Sequence, residues 1–127
     1  MPEKFRIRVI TLSDRAYRGT YADLSGPVVI KYVKYAMSAA GWEYEIRHDI
    51  LPDDAEALRA ALTESPSPDL IITTGGTGIG PRDITPDVVR SLLTKEIPGI
   101  MEQIRVKFGT KNPKALLSRG IAGTIGN

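Results

Sequence analysis

The sequence predicts an α/β fold: a mostly parallel sheet with helices on both faces. Three observations carry this. Short apolar, β-branched segments recur at residues 5–12, 44–50 and 70–74. Segments with helical spacing alternate with them. A polar or glycine-rich stretch follows each apolar segment. The order β-α-β-α-β-α-α calls for right-handed crossovers, which would bring those three stretches to one edge of the sheet, where open α/β sheets bind ligands.

The elements follow in order. Phe5, Ile7 and Val9 alternate with Arg6 and Arg8, and Ile10-Thr11-Leu12 completes a strand that ends at Ser13-Asp14-Arg15. Residues 16–25 read as a loop. Pro27 marks a helix start. Val28, Val29, Tyr32, Val33, Ala36, Met37 and Ala40 then form a core-facing stripe over 27–40, stopped by Gly41. Tyr44, Ile46 and Ile50 mark the second strand. His48 shares their parity and, with no second histidine or cysteine to complete a metal set, reads as a packed or edge residue. Leu51-Pro52-Asp53-Asp54 ends that strand, and either aspartate could cap the helix carrying Ala55, Leu58, Ala61 and Leu62.

The third strand, Leu70–Thr74, runs into Gly75-Gly76-Thr77-Gly78-Ile79-Gly80, four glycines in six residues. Such a loop can take positive φ and present bare backbone N–H groups to an anion, most often a phosphate. Its spacing is neither the dinucleotide fingerprint nor a P-loop. Thr85-Pro86-Asp87 supplies an N-cap, a first-turn proline and an acid for a helix over 86–95. A further helix runs from Pro98 to Phe108 and is ended by Gly109. A helical turn follows at 113–118, and residues 119–127 form a loop entering a strand.

Length and composition bound the function. One domain of 127 residues, 42% hydrophobic and 25% charged, can bury a core. Without cysteine there are no disulfides, zinc-thiolate sites or thiol catalysis. A net charge of +2 without a clustered basic face gives no reason to expect nucleic acid as a partner. No apolar run approaches a membrane span or a signal peptide, so a cytoplasmic location is the default expectation.

The three strand ends suggest phosphate chemistry. The glycine loop offers N–H groups, Thr77 a hydroxyl and Arg82 a guanidinium. Asp14, Asp53 and Asp83 make sense beside a polyphosphate if Mg²⁺ lies between them. Without cysteine, and with one poorly placed histidine, a nucleophile triad is not expected.

These same residues carry a family resemblance. Ser13-Asp14-Arg15 followed by Gly19, Tyr21 and Asp23-Leu24-Ser25-Gly26-Pro27 resembles the opening motif of the MogA/MoaB family of molybdenum cofactor biosynthesis proteins. Thr73-Thr74-Gly75-Gly76-Thr77-Gly78 with Arg82-Asp83-Ile84-Thr85-Pro86-Asp87 resembles its central motif, and Leu116-Leu117-Ser118-Arg119 a later one. The resemblance implies a molybdopterin-binding fold, commonly trimeric. It also implies an adenylyltransferase that moves AMP from Mg-ATP to the phosphate of molybdopterin. It places the catalytic and Mg²⁺-binding acids on Asp53 and Asp83 and the phosphate-holding loop on Gly75, Gly76, Thr77 and Gly78. Ser13, Asp14, Arg82, Ser118 and Arg119 would line the same pocket. The metal-insertion enzyme of the pathway is an implied partner. Family chains continue past the Gly-Asn segment into a strand and a pterin-binding loop, so residues 1–127 are expected to be a single molybdopterin-binding domain lacking its C-terminal part. Two other readings share the fold: a non-catalytic molybdopterin-binding paralogue or carrier, and a domain of the metal-insertion enzymes. Ser13-Asp14-Arg15 disfavours the latter.

Overall fold

The computed structural model describes residues 3–126. Its main sheet has β1 (Phe5–Leu12) at the centre, with β2 (Tyr44–Leu51) on one side and β3 (Leu70–Thr74) on the other, both parallel to it. The register pairs Leu12 with Leu51 and Thr11 with Thr74. The segments beginning at Ser13, Pro52 and Gly75 therefore emerge side by side, as the topology requires.

Strand alternation sorts the core. Ile10 and Leu12 point to one face, where they meet Leu58 and Leu62 of α3 (Ala55–Leu62) and Val88 of α4 (Thr85–Leu92). Ile7 and Val9, both buried, point to the other face, which α2 (Ser25–Ala40) covers. Helices thus lie on both faces. α5 (Pro98–Gly109) and a 3₁₀ turn over Pro113–Leu117 pack together beyond α4.

Several boundaries differ from expectation, each for a local reason. Residues 14–17, half expected as loop, form a one-turn helix α1 (Asp14–Tyr17), because the Ser13 hydroxyl accepts from the Ala16 N–H. α2 begins at Ser25, two residues before Pro27, since Asp23 takes up the Gly26 N–H. Its apolar stripe is only partly core-facing. Met37 is buried and Val29 and Val33 half-buried, but Val28 and Tyr32 are exposed, because a three-stranded sheet meets only one row of the stripe. Gly41 closes α2 as expected: at φ 73° it donates to Ser38, while Trp42 donates to Met37.

Three expectations in the second half need correction. α4 starts at Thr85 and ends at Leu92, short of residue 95. Leu93 turns extended, and β4 (Lys95–Glu96) pairs antiparallel with β5 (Gly123–Thr124). Gly109 is the last residue of α5 and not a left-handed stop beyond it, and its bare Cα makes room for Leu116. Of residues 119–127, only Gly123–Thr124 is strand, and Asn127 lies outside the described residues.

Arg8 departs most from the expected pattern. It lies on the core face of β1 with 6% exposure. Its guanidinium donates to Asp49 Oδ2 at 2.7 Å and to the Ala61 carbonyl at the end of α3, and lies 3.0 Å from Glu64. Arg47 bridges the same two acids. Removing one member of a buried pair leaves an uncompensated charge, a larger loss than the pair itself is worth. Asp49→Ala is expected to lower unfolding free energy in urea by about 2 kcal/mol. Glu64→Ala, at a more exposed rim, should cost under about 1 kcal/mol. The opposite ranking would show that the rim pair holds Arg8.

Candidate functional site

The three emerging segments are knotted together by side chains. The Asp14 N–H donates to Asp53 Oδ2 at 3.2 Å, and the Asp53 N–H donates to Asp14 Oδ1 at 3.0 Å. Arg82 reaches across from the glycine loop. Its Nε donates to Asp14 Oδ2 at 2.6 Å, and one terminal nitrogen donates to Asp14 Oδ1 and to the Asp53 carbonyl, both at 3.0 Å. The alternative left open between Asp53 and Asp54 is resolved. Asp54 caps α3, accepting from the Ala57 N–H at 2.8 Å, and Asp53 is free for the site.

The two carboxylates are driven apart electrostatically. The Arg82 fork, with help from the Asp53 N–H, holds Asp14 at about 2. Burial pushes Asp53 above the ordinary carboxylate range, and the charges of Asp14 and Asp83 add to this against the opposing Asp14 N–H and Arg82. Asp53 Oδ1 is buried without any hydrogen-bond partner. It faces Gly76, where an added Cβ would come within 3.2 Å of it.

The glycine loop is shaped by close approach. Gly75 takes φ 95°, and a Cβ there would overlap the Leu12 carbonyl. Gly76 takes φ 70°, and a Cβ would overlap the Thr85 hydroxyl. Thr85, expected to cap a helix, is instead buried in the first turn of α4. Its hydroxyl donates to the Gly75 carbonyl at 3.0 Å and its N–H to the Gly76 carbonyl at 3.1 Å. Asp83 Oδ2 accepts from the Gly80 N–H at 2.8 Å. Among the described residues, the N–H groups of Gly76, Thr77, Gly78 and Ile79 reach no protein acceptor.

Ser118 and Arg119 lock this loop from behind. The Arg119 N–H donates to the Thr77 carbonyl at 2.7 Å. Its guanidinium donates to the carbonyls of Gly78 and Asp83 and pairs with Asp87. The Ser118 hydroxyl lies 3.4 Å from that of Thr77. Arg82 and Arg119, expected to line the pocket, thus spend their donors on the protein. The expected gathering of Asp14, Asp53 and Asp83 about one metal is not assembled either. Asp14 is committed to Arg82, and no group of three or more His, Cys, Asp or Glu among the described residues is placed to hold a metal ion.

A cleft of about 430 Å³ opens over Asp53, lined by Ser13, Asp14, Arg15, Arg18 and Tyr21. Ser13, Asp14 and Asp53 were expected there. Arg15, Arg18 and Tyr21 were not singled out as site residues, although they fall within the opening motif. His48 is packed, as expected: its Nε2 lies 3.0 Å from the Thr11 hydroxyl and 3.2 Å from Asp23 Oδ2. No described helix is long and apolar enough to cross a membrane.

Because burial disfavours the Asp53 charge, Asp53→Asn should raise the thermal midpoint at pH 7 in magnesium-free buffer. Its folded pKa is raised, so protonation favours the fold. The advantage should shrink as pH falls through that pKa and Asp53 becomes neutral. Asp14 has the opposite sign. Its stabilisation is present above about pH 4 and fades as pH falls towards about 2, so Asp14→Asn should flatten the acid limb of the stability curve. A destabilised Asp53→Asn protein at pH 7 would make Asp53 a structural residue.

Comparison with known proteins extends this geometry. A family model described as a probable molybdopterin binding domain matches residues 8–127. A molybdopterin adenylyltransferase of Helicobacter pylori is 34% identical over 125 residues, covering 95% of this chain and 69% of that protein. The molybdenum cofactor synthesis protein cinnamon of Drosophila melanogaster is 31% identical over 128 residues, and the chain spans only 21% of its length. The crystal structure of the tungsten cofactor synthesizing protein MoaB from Pyrococcus furiosus superposes with a TM-score of 0.82 at 34% identity, covering all of this chain and 77% of that one. By motif, fold and sequence, the chain belongs to the MogA/MoaB family of molybdenum cofactor biosynthesis.

Proposed function

We propose that the protein is a molybdopterin adenylyltransferase. The observation that carries this reading is Asp53: a half-buried carboxylate with one buried, unsatisfied oxygen, held beside a loop of unpartnered N–H groups at the carboxyl edge of a parallel sheet. A terminal phosphate oxygen of molybdopterin attacks the α-phosphorus of ATP. The bond from that phosphorus to the α,β-bridging oxygen breaks, pyrophosphate leaves with the electron pair, and AMP is joined to the pterin phosphate.

The chain's own groups suit each demand of that step. Free N–H groups at Gly76–Ile79 would receive phosphate oxygens without a side chain intervening. Arg82 and Arg119 keep the loop and the acids fixed, so little reorganisation is needed as charge shifts. The donor set also fits a hard divalent cation. Asp53 Oδ1 lacks a partner and burial disfavours its charge, while Asp83 Oδ1 is left free by the Gly80 bond to Oδ2. Asp53 and Asp83 would hold Mg²⁺, which supplies charge neutralisation on the transferring phosphoryl group when bound.

The same reading makes the protein a soluble cytoplasmic homotrimer that hands its product to a metal-insertion enzyme. Val28, Tyr32 and Tyr35 on α2, exposed by 52%, 65% and 76%, are consistent with a surface that another subunit covers. Light scattering coupled to gel filtration should then give three times the chain mass, and a monomer at micromolar concentration would remove the trimer from the proposal.

The activity is tested by incubating the protein with Mg-ATP and molybdopterin and following pyrophosphate. Asp53→Asn and Asp83→Asn are each expected to lower kcat by roughly a hundredfold or more, with smaller effects on ATP binding. Binding of molybdopterin without pyrophosphate release would favour a carrier. Full activity in the Asp83→Asn protein would reject the catalytic assignment.

A further inference from the structure

We infer that Arg18 and Tyr21 form a second binding wall over Asp53, taking the ring and charged end of a phosphate-bearing heterocycle. The inference rests on the reading that this site handles such compounds. Four observations support it.

The cleft over Asp53 has the volume of a small-ligand site. Its floor is acidic, with Asp14 and Asp53 in the lining, so an anionic ligand needs a cation that the protein has not already used. Arg82 is spent on Asp14 and Arg119 on Asp87 and the loop carbonyls. Two cations of the lining remain, Arg15 and Arg18, and among the described residues neither donates a side-chain hydrogen bond or makes an ion pair. Arg18 is the one assigned to the wall, three residues from Tyr21 in the same segment. Its charge reaches Asp14 only through space.

Tyr21 completes the wall. Tyr21 is 54% exposed yet lines the cleft. An uncovered tyrosine at a cleft rim provides a flat face on which a heterocycle can stack.

The segment bearing these side chains is held at both ends. On one side, the Thr20 N–H and hydroxyl both donate to the Arg15 carbonyl. On the other, Asp23 is pinned at 6% side-chain exposure. Its Oδ1 accepts from the Gly26 N–H at 3.0 Å, and its Oδ2 accepts from the Thr11 hydroxyl at 2.9 Å with His48 alongside. Burial alone would raise the Asp23 pKa, but these bonds and His48 outweigh it and lower it. The latch also excludes a side chain at residue 26, where a Cβ would overlap Asp23 and His48. The exposure of Arg18 and Tyr21 is therefore built into an anchored arm.

Calorimetric titration of ATP, AMP and 6-hydroxymethylpterin phosphate tests this, with wild type, Arg18→Ala, Arg18→Lys, Tyr21→Leu and Tyr21→Phe compared in magnesium buffer. Arg18→Ala should weaken at least one of these ligands roughly ten- to hundredfold, and Arg18→Lys should restore part of the loss. Tyr21→Leu should weaken the same ligand about tenfold, and Tyr21→Phe should match wild type. Loss confined to ATP and AMP assigns the wall to the nucleotide, and loss confined to the pterin phosphate assigns it to the pterin. Thermal midpoints should not move, which separates binding from folding. If wild type binds one of the three and all four variants bind it equally well, the wall is wrong while the proposed function stands. If wild type binds none, both fail.

Discussion

The reciprocal bond between Asp14 and Asp53 is the constraint on which the site depends. Each backbone N–H donates to the other residue's carboxylate, which ties the carboxyl ends of β1 and β2 together. The Ser13 N–H to Leu51 carbonyl bond extends the ladder to the residue beside them. Two carboxylates so close would repel if both were charged and unpaired. Arg82 resolves this by taking Asp14 in a two-point grip. The consequence is asymmetric: Asp14 becomes a fixed, satisfied anion, and the electrostatic cost is concentrated on Asp53. One acid builds the frame, and the other keeps a buried oxygen that no hydrogen-bond donor reaches among the described residues.

The glycine loop obeys the same logic from the other side. Its carbonyls at 75–78 are taken by Thr85 and Arg119, and its N–H groups at 76–79 are left over. A loop whose acceptors are filled and whose donors are free is committed in polarity before any ligand arrives. Holding it so requires glycine at 75 and 76, because the Leu12 carbonyl and the Thr85 hydroxyl occupy the space a Cβ would need.

Sequence reading recovered the backbone of this arrangement well. Apolar periodicity located the three sheet strands and the helices between them, and topology alone placed Ser13-Asp14, Asp53 and the glycine loop at one edge. It was weaker wherever a side chain decides between partners. Nothing local says that Arg82 prefers Asp14 to a phosphate, that Thr85 turns back to Gly75, or that Asp54 and not Asp53 caps α3. Those outcomes depend on residues 10 to 68 positions away in the chain: Gly75 for Thr85, and Asp14 for both Arg82 and Asp53. Arg8 was hidden for a related reason. Alternation with Ile7 and Val9 carries no sign of burial, but both faces of β1 are covered, so the charge is buried and paired through Asp49 and Glu64. The same double covering makes the strand's alternation misleading in general.

Arg8 and Asp53 also show why buried polarity alone does not identify a site. Both contain a buried side-chain atom without a hydrogen-bond partner, Nε in one and Oδ1 in the other. At Arg8 the unmet donor belongs to a cation already balanced by two acids, with Arg47 closing the group, so the net charge of the cluster is satisfied. At Asp53 the unmet acceptor belongs to an anion whose nearest carboxylate neighbour is also negative and whose nearest arginine is engaged elsewhere. An unmet bond with balanced charge costs a modest desolvation penalty and can persist as part of a fold. An unmet bond with unbalanced charge costs more, and its retention at a cleft floor marks a candidate functional site. One sheet thus carries opposite solutions at two places: a closed charge network around Arg8 on β1, and an open one at Asp53 beyond the end of β2.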